Sequence, residues 1–285
     1  MGYIYLTLSS LCSLSIAHLL KMTAVRGART LNTLTINYLV AFIIAFTIGF
    51  GEDNRLVWSQ SRYLFLFCLI IGVFFIGNFV VYGKSVHANG VGVSVAAMRL
   101  SLLIPVVISI FLYSENLDSV KLLGILGVLG ALLLLIPQKS EIRIGKIHAS
   151  WLLLITFMLS GLADASLKIY QEDFSMQLNE SLFMGIIFMA SFVMGLTACF
   201  YRGGPLITKK ELILGTCIGI PNLYSSIFLI YALEGIRGAV AFPIVNTLNV
   251  LGGTFLGLLF WKDRVSFRQW LGIATAVIAI LLLVL

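Results

Sequence analysis

Arg99 stands about eight residues into an uninterrupted apolar run, residues 91–112. Read as a helix rising 1.5 Å per residue, that puts a guanidinium roughly 12 Å deep in a bilayer, near its midplane. A charge at that depth is costly and normally faces a cavity, a partner or a substrate. The chemistry on offer is recognition of an anionic group, or a gate closed against a carboxylate. The plainer reading is a structural salt bridge, or snorkelling to the interface. Asp164 lies some 16 residues into the run 148–170, with Lys168 four residues on. That spacing allows an ion pair on one helix face, so Asp164, with Lys168, is a candidate gate or proton or cation site, against a neutral structural pair. His18, near the end of the first apolar run, is a candidate proton relay by residue type, since histidine is the side chain suited to passing protons near neutral pH; a packing role is the commoner one.

Uncharged polar residues recur in the same kind of segment. Pro243-x-x-Asn246-Thr247-x-Asn249 places two amides three residues apart on one face, beside a proline that frees a backbone carbonyl. Pro221-Asn222-x-Tyr224-Ser225-Ser226 repeats the theme, Asn78 shares a face with Tyr82, and Ser101 with Pro105. Asn78, Tyr82, Asn222, Tyr224, Ser225, Asn246, Asn249 and Arg99 thus outline a hydrated substrate pathway with broken backbone at its centre. The alternative is interhelical hydrogen bonding, worth about 0.6 kcal/mol each in membranes. No His-Glu-x-x-His, Gly-x-Ser-x-Gly or P-loop occurs, so the residues suggest neither a metallohydrolase, a serine hydrolase nor an ATP-driven pump; no cofactor or metal is expected.

The elements that must hold these residues are membrane helices. Hydrophobic residues make up 60% of the chain and charged ones 11%, which a soluble fold of this length could not bury. Ten runs of roughly 20 residues fit a 30 Å hydrocarbon core: 2–20, 31–50, 62–83, 91–112, 119–137, 148–170, 179–200, 209–233, 238–260 and 267–285. Continuous runs exclude the alternation of a transmembrane barrel. Short loops such as His87-Ala88-Asn89-Gly90 separate them, and Trp58, Trp151, Trp261 and Trp270 fall at their ends, where an indole keeps its N–H wet. The first run lacks a basic leader and a cleavage pattern and reads as a retained helix. Cys12, Cys68, Cys199 and Cys217 lie in four different runs, which suggests free thiols rather than disulfides. Glycines 124, 127 and 130 form a packing stripe in the fifth run, within the bundle or between protomers.

The second half repeats the first. Lys21 and Leu31-Asn32 recur as Lys168 and Leu178-Asn179, 147 residues on; Glu115 and Gly124 recur as Asp263 and Gly272, 148 on; Tyr82 answers to Tyr231, 149 on. Five spans per copy is an odd number, so the copies are inverted. The expectation is an all-α integral membrane protein of ten transmembrane helices in two inverted five-helix repeats, residues 1–137 and 148–285, joined by a cytoplasmic linker, 138–147. Inverted repeats are the usual architecture of secondary transporters.

Net charge is +7, but the bases sit in short loops, which points to lipid headgroups and orientation rather than nucleic acid. One face carries 13 of them (Lys21, Arg26, Arg29, Lys84, Lys139, Arg143, Lys146, Arg202, Lys209, Lys210, Lys262, Arg264, Arg268) and the other 4 (Arg55, Arg62, Lys121, Arg237), with Arg99 and Lys168 left aside. The positive-inside rule makes the first face cytoplasmic and puts both termini outside.

With its tenfold span count, its repeat, and Glu115…Gly124 and Asp263…Gly272 opening the last helix of each half, the whole chain resembles the drug/metabolite transporter superfamily, in its EamA-type members. The resemblance implies a central cavity formed by the third, fourth, eighth and ninth spans with the first and sixth beside them. It also implies gradient-driven or facilitated movement, often outward, of small metabolites such as amino acids, sugars or drugs. It implies cytoplasmic termini too, which the charge count contradicts; the count, which rests on these residues, is followed here.

The function expected is secondary transport of small polar metabolites such as amino acids, outward and by alternating access, in a bacterial inner (plasma) membrane, with possible proton or cation coupling, as a monomer or homodimer. Rivals are a nucleotide-sugar or sugar-phosphate carrier, since Arg99 and Lys168 suit phosphate, a non-transporting scaffold subunit, and a membrane enzyme using Asp164 and His18. A hydrated central cavity separates the carrier from the last two.

Overall fold

A computed structural model describes residues 1–51, 62–135, 149–201, 207–261 and 266–285. Among these, every regular element is helical: α1 (Gly2–Val25), α2 (Thr30–Gly51), α3 (Arg62–Asn89), α4 (Val91–Leu100), α5 (Leu103–Phe111), α6 (Ser119–Leu135), α7 (Ser150–Ile169, continued by a π-helical turn Tyr170–Phe174), α8 (Glu180–Tyr201), α9 (Lys209–Leu233), α10 (Gly238–Trp261) and α11 (Phe267–Val284). Nine spans in the described residues have the length and apolarity to cross a membrane, α4 and α5 together forming one, and α6 is a shorter apolar helix. The linker 138–147, Trp58 and Asp263 lie outside the described residues.

Polarity is distributed as lipid requires. Leucines, valines and phenylalanines such as Leu122, Leu126, Phe255 and Leu259 face outward, while Ser9, Asn37, Ser191 and Thr247 are buried. Trp151 and Trp270 are exposed near the starts of α7 and α11. Buried hydroxyls mostly return to their own helix, as Thr156 does to the Leu152 carbonyl (2.8 Å), which satisfies the donor in an apolar surround; the Ser10 and Ser109 hydroxyls are buried without a partner among the described residues.

Helix pairing reflects the repeat. α1 packs on α9 as α7 packs on α3; α2 packs on α9 as α8 packs on α3; α1 meets α10 as α7 meets α4 and α5; α2 pairs with its mate α8, and α6 with α11. Exchanging the halves maps this pattern onto itself. The glycine stripe serves the last of these pairs. A side chain at Gly124 would strike Leu283, one at Gly127 would press on Ala279, and one at Gly272 would strike Leu135, whereas Gly130 faces open space. The stripe therefore packs inside the bundle.

The fourth span breaks in its middle. Pro105 has no N–H to give the Ser101 carbonyl, which takes a tighter bond from the Ile104 N–H instead (2.9 Å). The Ser101 hydroxyl in turn donates to the Met98 carbonyl (2.6 Å). α7 reaches this break because residue 161 is glycine; a Cβ there would collide with Ile104 and approach the Ser101 carbonyl to 2.7 Å. One expected loop is corrected. Residues 87–89 belong to α3, which ends only where Gly90 turns to φ +86°. Asn89 is retained there because its amide donates to the Ala149 carbonyl (3.0 Å) and accepts from the Ala149 N–H (3.2 Å).

Candidate functional site: a polar cavity between the halves

A cavity of about 310 Å³ lies at the centre of the bundle, walled by α1, α3, α4, α7, α9 and α10, with Tyr38 of α2. Both copies contribute. Asn78, Arg99, Asp164, Asn222, Ser225, Asn246 and Asn249 all line it, together with Ser9, Ser13, Ser101, Ser160 and Ser226.

Most of the polar wall is held in place by its own bonds. Ser160 of α7 donates to Asn78 Oδ1 of α3 (2.8 Å). Asn222 donates to Asn37 Oδ1 of α2 (3.1 Å), and Ser9 of α1 to the Ser225 carbonyl of α9 (2.7 Å). In α10, Asn246 donates to the Phe242 carbonyl (3.1 Å) and Thr247 to the Pro243 carbonyl (2.7 Å). Each of these bonds ties two cavity helices together or steadies the proline turn.

Three groups are left to the interior. Among the described residues, neither the Arg99 guanidinium nor the Asp164 carboxylate makes a direct hydrogen bond or ion pair with the protein; each is an electrostatic neighbour of the other, and the Tyr82 hydroxyl stands near Arg99. Asn249 Oδ1 is buried without a partner. A half-buried arginine, a carboxylate and an amide oxygen with unused hydrogen-bonding capacity around one cavity can bind a small molecule carrying charge of either sign, or the water that replaces it.

Other candidates fall elsewhere. Tyr82 is an electrostatic neighbour of Arg99 and not part of the cavity wall. Tyr224 turns its ring toward Phe228 (centroids 5.7 Å apart), and His18 sets its ring edge-on to Phe260 of α10 (5.2 Å). Lys168 corrects the i,i+4 expectation. Its ammonium meets not Asp164 but Glu115 (2.8 Å), and it also pairs with Glu172. The reason is the π-helical turn and the α5–α6 connector. Together they bring two carboxylates to the end of α7, whereas Asp164, one turn back, points into the cavity.

Two clusters escaped the sequence reading. On the face carrying most bases, Glu211 at the start of α9 takes a two-pronged bond from Arg29 (2.7 and 2.9 Å), lies against Asn32, and closes a capping box with Thr208. On the other face, Glu115 accepts from the N–H groups of Gly238 and Ala239 (2.8 and 2.9 Å) at the first turn of α10, besides holding Lys168. A helix start followed three residues on by glutamate (Thr208-x-x-Glu211) was the available signal for the first; nothing local marks Glu115 as a cap for a helix 123 residues away.

A bundle of membrane-length apolar helices around a polar cavity is the architecture of a multi-pass membrane protein. Residues 148–285 match the EamA-like transporter family. Over 285 aligned positions it is 24% identical to an uncharacterized protein of Haemophilus influenzae, covering 95% of this chain and 94% of that one. A solved structure described only as the crystal structure of a protein superposes with a TM-score of 0.79 at 12% identity, over 99% of this chain and 96% of that one; this likeness speaks for the fold alone.

Proposed function

We propose that the protein is a secondary transporter that moves small polar metabolites, amino acids or related compounds, outward by alternating access. Arg99 engages an anionic group of the substrate, and Asp164 receives a cationic group or the coupling proton. Asn78, Asn222, Ser225, Asn246 and Asn249 line the path, and Tyr82 supports Arg99. The membrane is the bacterial inner membrane, and the Lys and Arg distribution sets both termini outside.

The observation that carries this reading is the cavity itself: an arginine and a carboxylate share it without being spent on each other. A structural pair would have closed to hydrogen-bond distance, because an uncompensated charge in a low-dielectric surround is costly. A scaffold subunit would have buried its polar stripes dry. The test is efflux from proteoliposomes loaded with a mixture of the twenty amino acids and assayed by mass spectrometry. Wild type should release a subset down its gradient. Arg99→Ala, inserted to the same level, should fall to the rate of empty liposomes; full efflux by that variant would remove Arg99 from the mechanism.

A further inference from the structure

The cavity is not walled equally at its two ends. Among the described residues, α5 packs against the start of α10, while α4, the other half of the same span, makes no comparable contact with α10. Between the fourth span and α10 the described wall is therefore closer on the face that carries Glu115 than on the face that carries the bases.

The closer end is organised by the connector between α5 and α6, residues 112–118. Ser114 holds a left-handed φ of +52°, uncommon for a residue with a side chain, and the Glu115 N–H bonds back to the Ser109 carbonyl (3.2 Å). This turn points the Glu115 carboxylate at the first N–H groups of α10, where a negative charge is favoured by the helix dipole. Lys168, at the end of α7, completes it, with side-chain exposures of only 3% for the lysine and 8% for the glutamate. Around them Tyr113 donates to Asp173 (2.8 Å) and Arg237 to the Asn116 carbonyl (2.6 Å). The connector so ties α7 to α10 at one point. Leu167 and Phe242, next to Lys168 and one turn from Gly238, form that end of the cavity.

We infer that Glu115 and Lys168 form a latch that seals the cavity toward their own face and must part before that face can open. The inference rests on the transport reading and adds the residues that time it. In the sealed state Glu115 joins α7, which carries Asp164, to α10, which carries Asn246 and Asn249. Parting the pair frees the two helices that hold opposite walls of the site. Glu115 and Lys168 do not touch the cavity, so they are positioning residues and not substrate ligands.

The test reads sidedness. In a background lacking the four native cysteines, Ser225→Cys reports on the cavity. A membrane-impermeant thiol reagent is applied to sealed vesicles of both orientations. With Glu115 and Lys168 intact, modification should proceed from the basic face and be slow from the other. Glu115→Gln and Lys168→Met should each raise modification from the Glu115 face by about tenfold, the size of a modest population shift. Glu115→Asp, which keeps the charge, should stay nearer wild type. Unchanged sidedness in both neutral variants, each running as a single species in detergent, would overturn the latch. If one variant fails to insert, the other decides. Failure here is separable from failure of the transport reading, which stands or falls on efflux by Arg99→Ala.

Discussion

Two buried carboxylates, Glu211 and Glu115, solve the same problem on opposite faces in different ways. Glu211 lies within the helix it caps. Its partners Arg29 and Asn32 come from α2 and its start, so one tight cluster rivets α2 to α9. Glu115 belongs to a connector and is shared by a lysine from α7 and the backbone of α10, two elements that meet mainly through it. The first arrangement sits where neighbouring helices, α2 with α8 and α9, already pack along their lengths. The second sits where the cavity ends. A charge that merely holds a scaffold can be saturated within one interface. A charge that must let go is better placed between elements that have little else in common.

Substitutions can sharpen or break this contrast. The largest loss of stability should come from Glu211→Ala, which strips Arg29, Asn32 and the α9 capping box at once. In detergent its melting temperature should fall further than that of Glu115→Ala, while Glu115→Ala should lose the larger share of transport among molecules that remain folded. Equal effects on both measures would erase the distinction. A smaller effect is expected from Gly238→Ala. A methyl group there would overlap the Ser109 hydroxyl and crowd the Lys168 stem, wedging α5 from α10 at the latch. Overpacking of this kind costs about 1–3 kcal/mol. It should raise thiol modification from the Glu115 face as Glu115→Gln does; a stability loss with no change in sidedness would mean that the contact is only packing.

Much of the fold was written in the sequence because lipid leaves few choices. Twenty-residue apolar runs, tryptophans at their ends and an odd-numbered repeat required an inverted helical bundle. The polar stripes of α3, α9 and α10 were legible for the same reason: in an apolar helix every amide stands out. What could not be read were contacts across long separations. Lys168 looked like a partner for Asp164 because both lie on one helix, and helix periodicity cannot report a carboxylate delivered by a connector 53 residues earlier. The end of α3 was misjudged because Asn89, a usual loop residue, is paid for by the Ala149 backbone. Tyr224 shares a segment with Asn222 and Ser225 but not their face, and only packing reveals it.

The central claim is that the interior is wet, reachable and used by a substrate. Asn249, whose side-chain oxygen lies unpartnered at the cavity wall, offers the most direct test. Asn249→Cys should be modified by an impermeant thiol reagent from one face of sealed vesicles, and the amino acids released in the efflux assay should slow that reaction. A thiol at 249 that resists the reagent from both faces would mean a dry, plugged interior and would contradict the account.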